Sequence, residues 1–172
     1  MIKKYPCCGG NHAMLDSLFS LMRDNDFTYE DVADAEVDQS YYSVVMLYQD
    51  PDDELKGKFS AKYNVAAALV DGEVAVDTFT KDKIADPTIN ETMGKVRTRV
   101  MAKSEEMLTR SEDGHKVKIT LKDGRVFEHV TARADILGSQ KNPWGFENII
   151  SKFHANVALV LSEQGVEDAV NA

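Results

Sequence analysis

The segment that decides the fold is Val-Lys-Ile-Thr-Leu-Lys-Asp-Gly-Arg-Val-Phe-Glu-His-Val, residues 117–130. Apolar and polar residues alternate on both sides of Asp123-Gly124, a dipeptide that favours the tight turn of a β-hairpin. Successive strand residues point to opposite faces of a sheet, so the pattern predicts one covered face and one face at least partly in water. We therefore expect two antiparallel strands here, with helices packed on the apolar face.

Further elements are predicted on both sides of this hairpin. Residues that favour β-structure predict strands beginning at 35–37, at 42–48 and at 97–102. Helices are predicted at 60–70, after Asp86-Pro87 and beyond Gly145. In the last helix, large apolar residues recur on one face and are expected to form core: Phe146, Ile149, Ile150, Phe153, Val157 and Val160. The whole chain, residues 1–172, is predicted to be one α+β domain with a mainly antiparallel sheet covered by helices.

Residue types that often bind anions or transfer protons are concentrated at the start of the chain, in Lys3-Lys4-Tyr5-Pro6-Cys7-Cys8-Gly9-Gly10-Asn11-His12. Asn11 is a favourable helix N-cap, and apolar residues follow it at helical spacing, so His12 is predicted to lie in a first helical turn. Free N–H groups at a helix start favour a carboxylate or a phosphate, and Gly9-Gly10 would let such a ligand approach the main chain.

Lys3 or Lys4 would hold the far side of the same anion. A helix N-terminus disfavours imidazolium, so His12 is expected to be neutral near pH 7 and able to take or give a proton. The alternative is a capped surface helix without any function, since Gly, Lys and Pro often precede such helices.

Composition excludes several classes of function. The chain has 20 Lys and Arg against 29 Asp and Glu, a net charge of -9, which argues against binding nucleic acid or an anionic membrane through the overall field. No apolar run is long enough to span a bilayer or to form a signal peptide. Adjacent Cys7 and Cys8 strain disulfide geometry and lack a second pair for zinc, so reduced thiols in a cytoplasmic protein are expected.

The N-terminal run, with His12, resembles the start of the C-terminal domain in the MmgE/PrpD family. Two later stretches are also similar to family motifs: Phe59-Ser60-Ala61-Lys62-Tyr63 before an alanine-rich helix, and Asn142-Pro143 with Lys152-Phe153 on the next helix. The family contains 2-methylcitrate dehydratase, cis-aconitate decarboxylase and iminodisuccinate epimerase. Its members are much longer and carry an all-helical N-terminal domain, which is absent from this chain.

The resemblance implies a small polycarboxylate substrate, bound between the two domains without metal or organic cofactor. Lys3 would bind a substrate carboxylate, and His12 would be the acid or base by its own chemistry. Tyr48 matches a tyrosine that lines the substrate pocket in the family. Cys8 stands where cis-aconitate decarboxylases carry a catalytic histidine, and this departure counts against that activity.

The remaining predicted contacts to substrate are Lys4, as a substitute for Lys3, and Gly9, Gly10, Asn11 and Tyr63. Tyr63 has an alternative as a core residue, and Tyr48 has one as a tyrosine packed at a sheet margin. The resemblance also implies homodimers. An apolar surface left uncovered by the chain's own core is expected near Tyr5, Pro6, Tyr48 and Tyr63.

Three classes of function therefore stay open from the sequence. The first is part of a 2-methylcitrate dehydratase-like lyase that is inactive without the helical domain. An epimerase-like or decarboxylase-like activity is the second. The third is a free-standing module, without catalysis, that binds carboxylates or a protein partner.

Overall fold

A computed structural model describes residues 3–39, 48–100 and 115–171 of the chain. Within these ranges the sheet has four strands in the order β2-β1-β3-β4. The strands are β1 (Val32–Gln39), β2 (Val96–Val100), β3 (His115–Leu121) and β4 (Val126–Thr131). The helices are α1 (His12–Asp24), α2 (Glu54–Lys58), α3 (Ala61–Asp71), α4 (Lys81–Ile84), α5 (Pro87–Met93), α6 (Phe146–Val157) and α7 (Glu163–Asn171). The predicted α+β class is confirmed.

The sheet is mixed. β1 pairs antiparallel with β3, where Val37 lies opposite Val117, and β3 pairs antiparallel with β4 across the predicted hairpin. β1 also pairs with β2, but in the parallel direction, with Ala35 opposite Val96. Most pairing is thus antiparallel, as expected, and the parallel pair was not foreseen. Parallel neighbours need a crossover connection, and helices α2 to α5 lie in the chain between β1 and β2.

The two faces of the sheet differ as the alternation predicts. Val37, Val117 and Ile119 are buried on the inner face, which α1 and α3 cover. The outer face carries ion pairs between neighbouring strands, among them Arg97 with Asp34 at 2.6 Å. Lys118 lies 3.0 Å from Glu36 on the same face. The inner face therefore supplies the core and the outer face stays in contact with water.

Local capping accounts for the helices predicted in the middle of the chain. The Ser60 hydroxyl accepts a hydrogen bond from the Tyr63 amide, and α3 ends where Gly72 adopts a φ of 74°, in the left-handed region. The Asp86 carboxylate accepts from the amides of Thr88 and Ile89, and Pro87 begins α5. Both predicted helix starts are confirmed.

α1 is fixed across β3 and β4 by buried groups. Leu15 and Leu18 are both 0% exposed. Between them on the same helix, the Ser17 hydroxyl lies 2.9 Å from the His115 carbonyl oxygen and accepts a hydrogen bond of 2.9 Å from the Thr131 amide. These two bonds join the helix to the two strands of the hairpin, so α1 and the residues before it are held in a defined position.

Two sequence predictions about burial are wrong. No residue of α6 is buried, and Phe146 is 72% exposed, although its apolar face was expected to be core. An amphipathic pattern shows that a face suits burial but does not say which element covers it. Tyr5 and Tyr63 were expected near uncovered surface, yet they are 4% and 0% exposed because both pack in the core. Exposed apolar residues lie instead in α6 and in the turn after it: Phe146, Phe153, Leu159, Val160 and Leu161.

Some predictions fall on residues 40–47 and 101–114, outside the described ranges. They are most of the strand predicted at 42–48 and the end of the strand predicted at 97–102. In the described parts of the chain, no helix has both the length and the apolar character needed to cross a bilayer.

A pair of matched substitutions tests this distribution of burial. Leu18→Ala removes a fully buried side chain and is expected to lower the free energy of unfolding by about 2–5 kcal/mol. Leu159→Ala is the control, since Leu159 is 58% exposed; its expected cost is under about 0.5 kcal/mol. Urea denaturation of both variants measures the difference, and equal costs would contradict the exposed position of the segment after α6.

Candidate functional site

The N-terminal segment, residues 3–11, lies against the end of α2 and leads directly into α1. The Cys8 amide donates to the Lys58 carbonyl at 3.0 Å, and the Asn11 amide donates to the Cys8 carbonyl at 2.9 Å. The Asn11 side-chain amide also approaches the Lys58 carbonyl, at 3.4 Å. These bonds tie the segment to a part of the chain that is distant in sequence.

Asn11 stands at the N-cap position but does not cap with its side chain, contrary to the prediction. A short 3-10 turn, Gly9–Asn11, runs straight into α1, and the His12 amide already donates to the Gly9 carbonyl. Main-chain carbonyl groups therefore accept hydrogen bonds from some of the N–H groups at the start of the helix. His12 lies in the first turn, as predicted. A Cβ atom placed on Gly9 would meet no atom within 4 Å, so the space beside Gly9 is open to a ligand.

Asp16 is the residue that organises this region, and the sequence analysis did not identify it. Its carboxylate accepts hydrogen bonds from the Tyr5 hydroxyl at 2.8 Å, the Lys4 ammonium at 3.1 Å and the Leu137 amide at 3.2 Å. The only available signal was spacing, because residues 12 and 16 share one face of a helix. Asp16 thus joins the N-terminal segment, α1 and the loop after β4.

His12 is 1% exposed and packs edge-on against the Tyr5 ring, with 5.3 Å between ring centroids. Among the described residues neither ring nitrogen makes a hydrogen bond of good geometry. Burial lowers the pKa of His12, Lys3 lowers it further, and Asp16 acts in the opposite direction. The main chain of Tyr5 and Cys7 lies close enough to raise this pKa slightly. The neutral form is therefore favoured, mainly through burial rather than through the helix terminus that the sequence suggested.

Lys3 and the two cysteines lie beside this histidine. The exposed Lys3 side chain donates from its ammonium to the Cys7 carbonyl at 3.3 Å. Both cysteines are free, as expected. Burial raises the pKa of the Cys7 thiol to about 12, so Cys7 is protonated at neutral pH. Cys8 is half-buried at the start of the 3-10 turn.

Three neighbouring cavities meet at Lys4. The first, of 380 Å³, is lined by Asp16, His129 and Asn142 among others. A second, of 590 Å³, lies between the N-terminal segment, residues 73–77 and α6, and Lys152 and Trp144 line it. The third, of 310 Å³, shares Phe19 with the first cavity and shares Glu73 and Val74 with the second. Neither His12 nor Cys8 lines any of these three cavities.

The predicted site residues are thus only partly brought together. Lys3, Lys4, Cys8, Gly9, Gly10, Asn11 and His12 surround the start of α1. Tyr63 is fully buried and its hydroxyl donates to the Thr78 carbonyl at 2.6 Å, which matches the alternative of a core residue. Tyr48 is 45% exposed, next to residues outside the described ranges. Among the described residues, no three side chains of His, Cys, Asp or Glu converge as metal ligands would.

Fold and site together define an α+β domain in which a lysine-rich segment and a buried, neutral histidine meet at a helix start. The chain belongs to the MmgE/PrpD family: residues 5–172 match the MmgE/PrpD C-terminal domain. This match confirms the resemblance found in the motifs, although Lys3 and Lys4 precede the matched range.

The chain is also similar to two characterised enzymes. Cis-aconitate decarboxylase of Mus musculus is 29% identical over 121 residues, which are 70% of this chain and 24% of the relative. Cis-aconitate decarboxylase of Homo sapiens is similar to the same extent, 29% over 121 residues. This chain therefore spans only about a quarter (24%) of the length of these curated relatives.

The state of His12 predicts a pH dependence of stability. Its folded pKa lies below the ordinary value of 6.5, so the unfolded chain binds the proton more readily. The stability that neutral His12 contributes is complete above about pH 6.5 and is lost as pH falls towards the folded pKa. Between pH 7 and 5.5 we therefore expect the stability contributed by this group to decrease.

Denaturation curves of His12→Gln and of the unmodified chain at several pH values measure this contribution. His12→Gln should show a shallower dependence on pH, since both proteins share their other titrating groups. His154→Gln is the control for removal of an imidazole, because His154 is half-buried on α6, a helix without buried residues. Identical slopes for all three proteins would refute the assignment.

Proposed function

We propose that this chain forms the C-terminal part of a lyase or isomerase that acts on a small polycarboxylate. The observation that carries the proposal is the start of α1, where the Lys3 ammonium lies on the Cys7 carbonyl and close enough to His12 to lower its pKa. The space beside Gly9, two residues after Cys7, is open. In the described ranges no carboxylate forms an ion pair with Lys3. An anionic ligand would supply the missing negative charge.

The chemistry proposed for this site breaks a bond next to a carboxylate. Negative charge develops on the carbon beside that carboxylate, and a cation such as Lys3 lowers the energy of that state. His12 is the candidate for proton transfer because its neutral form is favoured near pH 7. As His12 is 1% exposed, it can meet a substrate only if the turn at Gly9 and Gly10 opens.

Dehydration of the 2-methylcitrate type is the first candidate reaction. It removes a proton from the carbon beside a carboxylate and expels a hydroxyl group from the next carbon. Return of the proton to the opposite face would give epimerisation from the same intermediate. Decarboxylation is the second candidate, and similarity to two cis-aconitate decarboxylases favours it, whereas Cys8 at the expected histidine position counts against it.

The family architecture completes the proposal. An all-helical N-terminal domain would close over the site, with the substrate between the domains, and two such enzymes would form a homodimer in the cytoplasm. Tyr48, exposed at the surface, would contact the substrate in the closed enzyme. Lys4, Gly9, Gly10 and Asn11 would complete the carboxylate contacts. No cofactor or metal enters the proposed reaction.

The alternative from another class is a module that binds carboxylates without catalysis. It would use the same lysines and the same helix start. The two candidates therefore share their ligand and differ only in turnover, so binding and turnover have to be measured separately.

Binding is tested on the 172-residue chain by citrate titration, followed through the amide signals of Gly10 and His12. We expect saturable shifts confined to the N-terminal segment and its neighbours, with a dissociation constant near 1 mM, about -4 kcal/mol. Lys3→Ala should weaken binding roughly tenfold, which corresponds to about 1.4 kcal/mol. Lys122→Ala, in the exposed hairpin turn, is the matched control. Shifts located elsewhere, or equal affinity after Lys3→Ala, would exclude the proposed site.

Turnover is tested with 2-methylcitrate, cis-aconitate and iminodisuccinate. We expect no product from this chain alone, because it corresponds to only 24% of the length of the decarboxylases to which it is similar. Addition of a family helical domain, expressed separately or fused, should restore conversion of one of the three compounds. Conversion by the isolated chain that Lys3→Ala abolishes would contradict the dependence on a second domain. Lack of conversion in every combination, with citrate binding retained, would favour the binding module.

A further inference from the structure

Lys152 of α6 reaches across the chain to the N-terminal segment. Its ammonium donates hydrogen bonds to the main-chain carbonyls of Lys3 and Lys4, the second at 3.3 Å. The ammonium also lies 5.8 Å from the centre of the Trp144 ring. Lys152 lies 149 residues after Lys3 and 148 residues after Lys4 in the sequence. Lys152 therefore holds the backbone that carries Lys3.

The charge of Lys152 has no described counterion. Carbonyl groups are neutral, and in the part of the chain that the structure describes no carboxylate pairs with Lys152 or with Lys3. Some half-buried lysines do find one, since Lys4 pairs with Asp16 and Lys83 pairs with Asp71. Lys95 resembles Lys152, because it donates to a main-chain carbonyl, that of Tyr29 at 3.5 Å. Lys152 is thus a half-buried cation beside the exposed Lys3, and the groups described around its ammonium are neutral carbonyls and an aromatic ring.

The cost of this arrangement is visible at Lys152 itself. Burial lowers the pKa of Lys152 most. Cys7 acts in the opposite direction, and the charge of Lys3 lowers the pKa by a smaller amount. The two ammonium groups therefore repel each other across a short stretch of backbone. A bound anion would relieve this repulsion, because it would interact favourably with both cations.

Lys152 also lines the cavity of 590 Å³ beside the segment. Asn148, Ser151 and Asn156 on the same helix line the cavity with amide and hydroxyl groups that can donate hydrogen bonds to a carboxylate. Glu73 and Asp77 line it as well, and their charges would repel an anion. Lys152 therefore supplies the attraction that places a ligand carboxylate on the α6 side.

We propose that Lys152 is the second cation of the carboxylate site and selects ligands with at least two carboxylates, one beside Lys3 and one beside Lys152. The proposal rests on the carboxylate site of the proposed function and adds to it a specificity-determining residue. Lys152 also positions Lys3 through the two backbone carbonyls. The two roles of Lys152 can be separated by binding measurements. Loss of its charge should weaken a ligand with several carboxylates more than a ligand with one, whereas loss of its hydrogen bonds to the backbone should weaken both ligands equally.

The test compares citrate with propionate, a monocarboxylate, in NMR titrations of the 172-residue chain. Lys152→Met keeps the apolar stem and removes the charge and the donors. Lys152→Arg keeps both, and Lys122→Met is the control for a lysine without a role. We expect Lys152→Met to weaken citrate binding roughly tenfold and propionate binding less than threefold, while Lys152→Arg stays within threefold of the unmodified chain for both ligands. The amide spectrum of each variant confirms that it is folded.

The possible outcomes distinguish the role proposed for Lys152 from the carboxylate site proposed at Lys3. Equal fractional losses for citrate and propionate in Lys152→Met would show a purely positional role and overturn the proposal. Unchanged citrate affinity in this variant would overturn it as well, and would leave the carboxylate site at Lys3 intact. Absence of citrate shifts in the unmodified chain would overturn the carboxylate site itself, and the proposed role of Lys152 with it.

Discussion

The arrangement of the candidate site depends on a single carboxylate, that of Asp16. With 13% of its side chain exposed, Asp16 has lost most of its hydration, and a carboxylate in that state must be compensated by donors. Tyr5, Lys4 and the Leu137 amide provide them. Because Tyr5 also packs against the His12 ring, the same bond that satisfies Asp16 keeps this histidine covered. The position of the N-terminal segment and the protonation of His12 are thus coupled.

Asp16 also determines which of the nearby lysines has a carboxylate partner. Asp16 neutralises Lys4, the lysine at which the three cavities meet, and leaves Lys3 and Lys152 without a described counterion. The charge of half-buried Lys152 therefore lies on the side of the segment that faces α6, where Glu73 and Asp77 also line the cavity, and no described ion pair balances it. In a low-dielectric, half-buried position such an imbalance acts more strongly than it would on an open surface.

Features that depend on neighbouring residues could be predicted from the sequence. The alternation around Asp123-Gly124 and the caps at Ser60 and Asp86 each place the cause within a few residues of its effect. The errors concern partners that are distant in the chain. Nothing in the pattern of α6 shows that its apolar face stays exposed, and nothing near β1 shows that β2 pairs with it in the parallel direction. The role of Asp16 could not be predicted for the same reason, because its donors come from the N-terminal segment and from the loop after β4, 121 residues later in the chain.

The outer face of β1 has a consequence for the newly made chain. Asp34, Glu36 and Asp38 project from this strand, and their basic partners follow much later in the chain. Arg97 comes 63 residues after Asp34, Arg99 comes 61 residues after Asp38, and Lys118 comes 82 residues after Glu36. At roughly 5–20 residues per second, synthesis leaves β1 without its neighbours for several seconds. Two copies of the strand paired edge to edge in that interval would set rows of carboxylates against each other, which is unfavourable. The acidic row that later forms ion pairs therefore protects the strand from aggregation while the ribosome is still making the residues that will cover its edges.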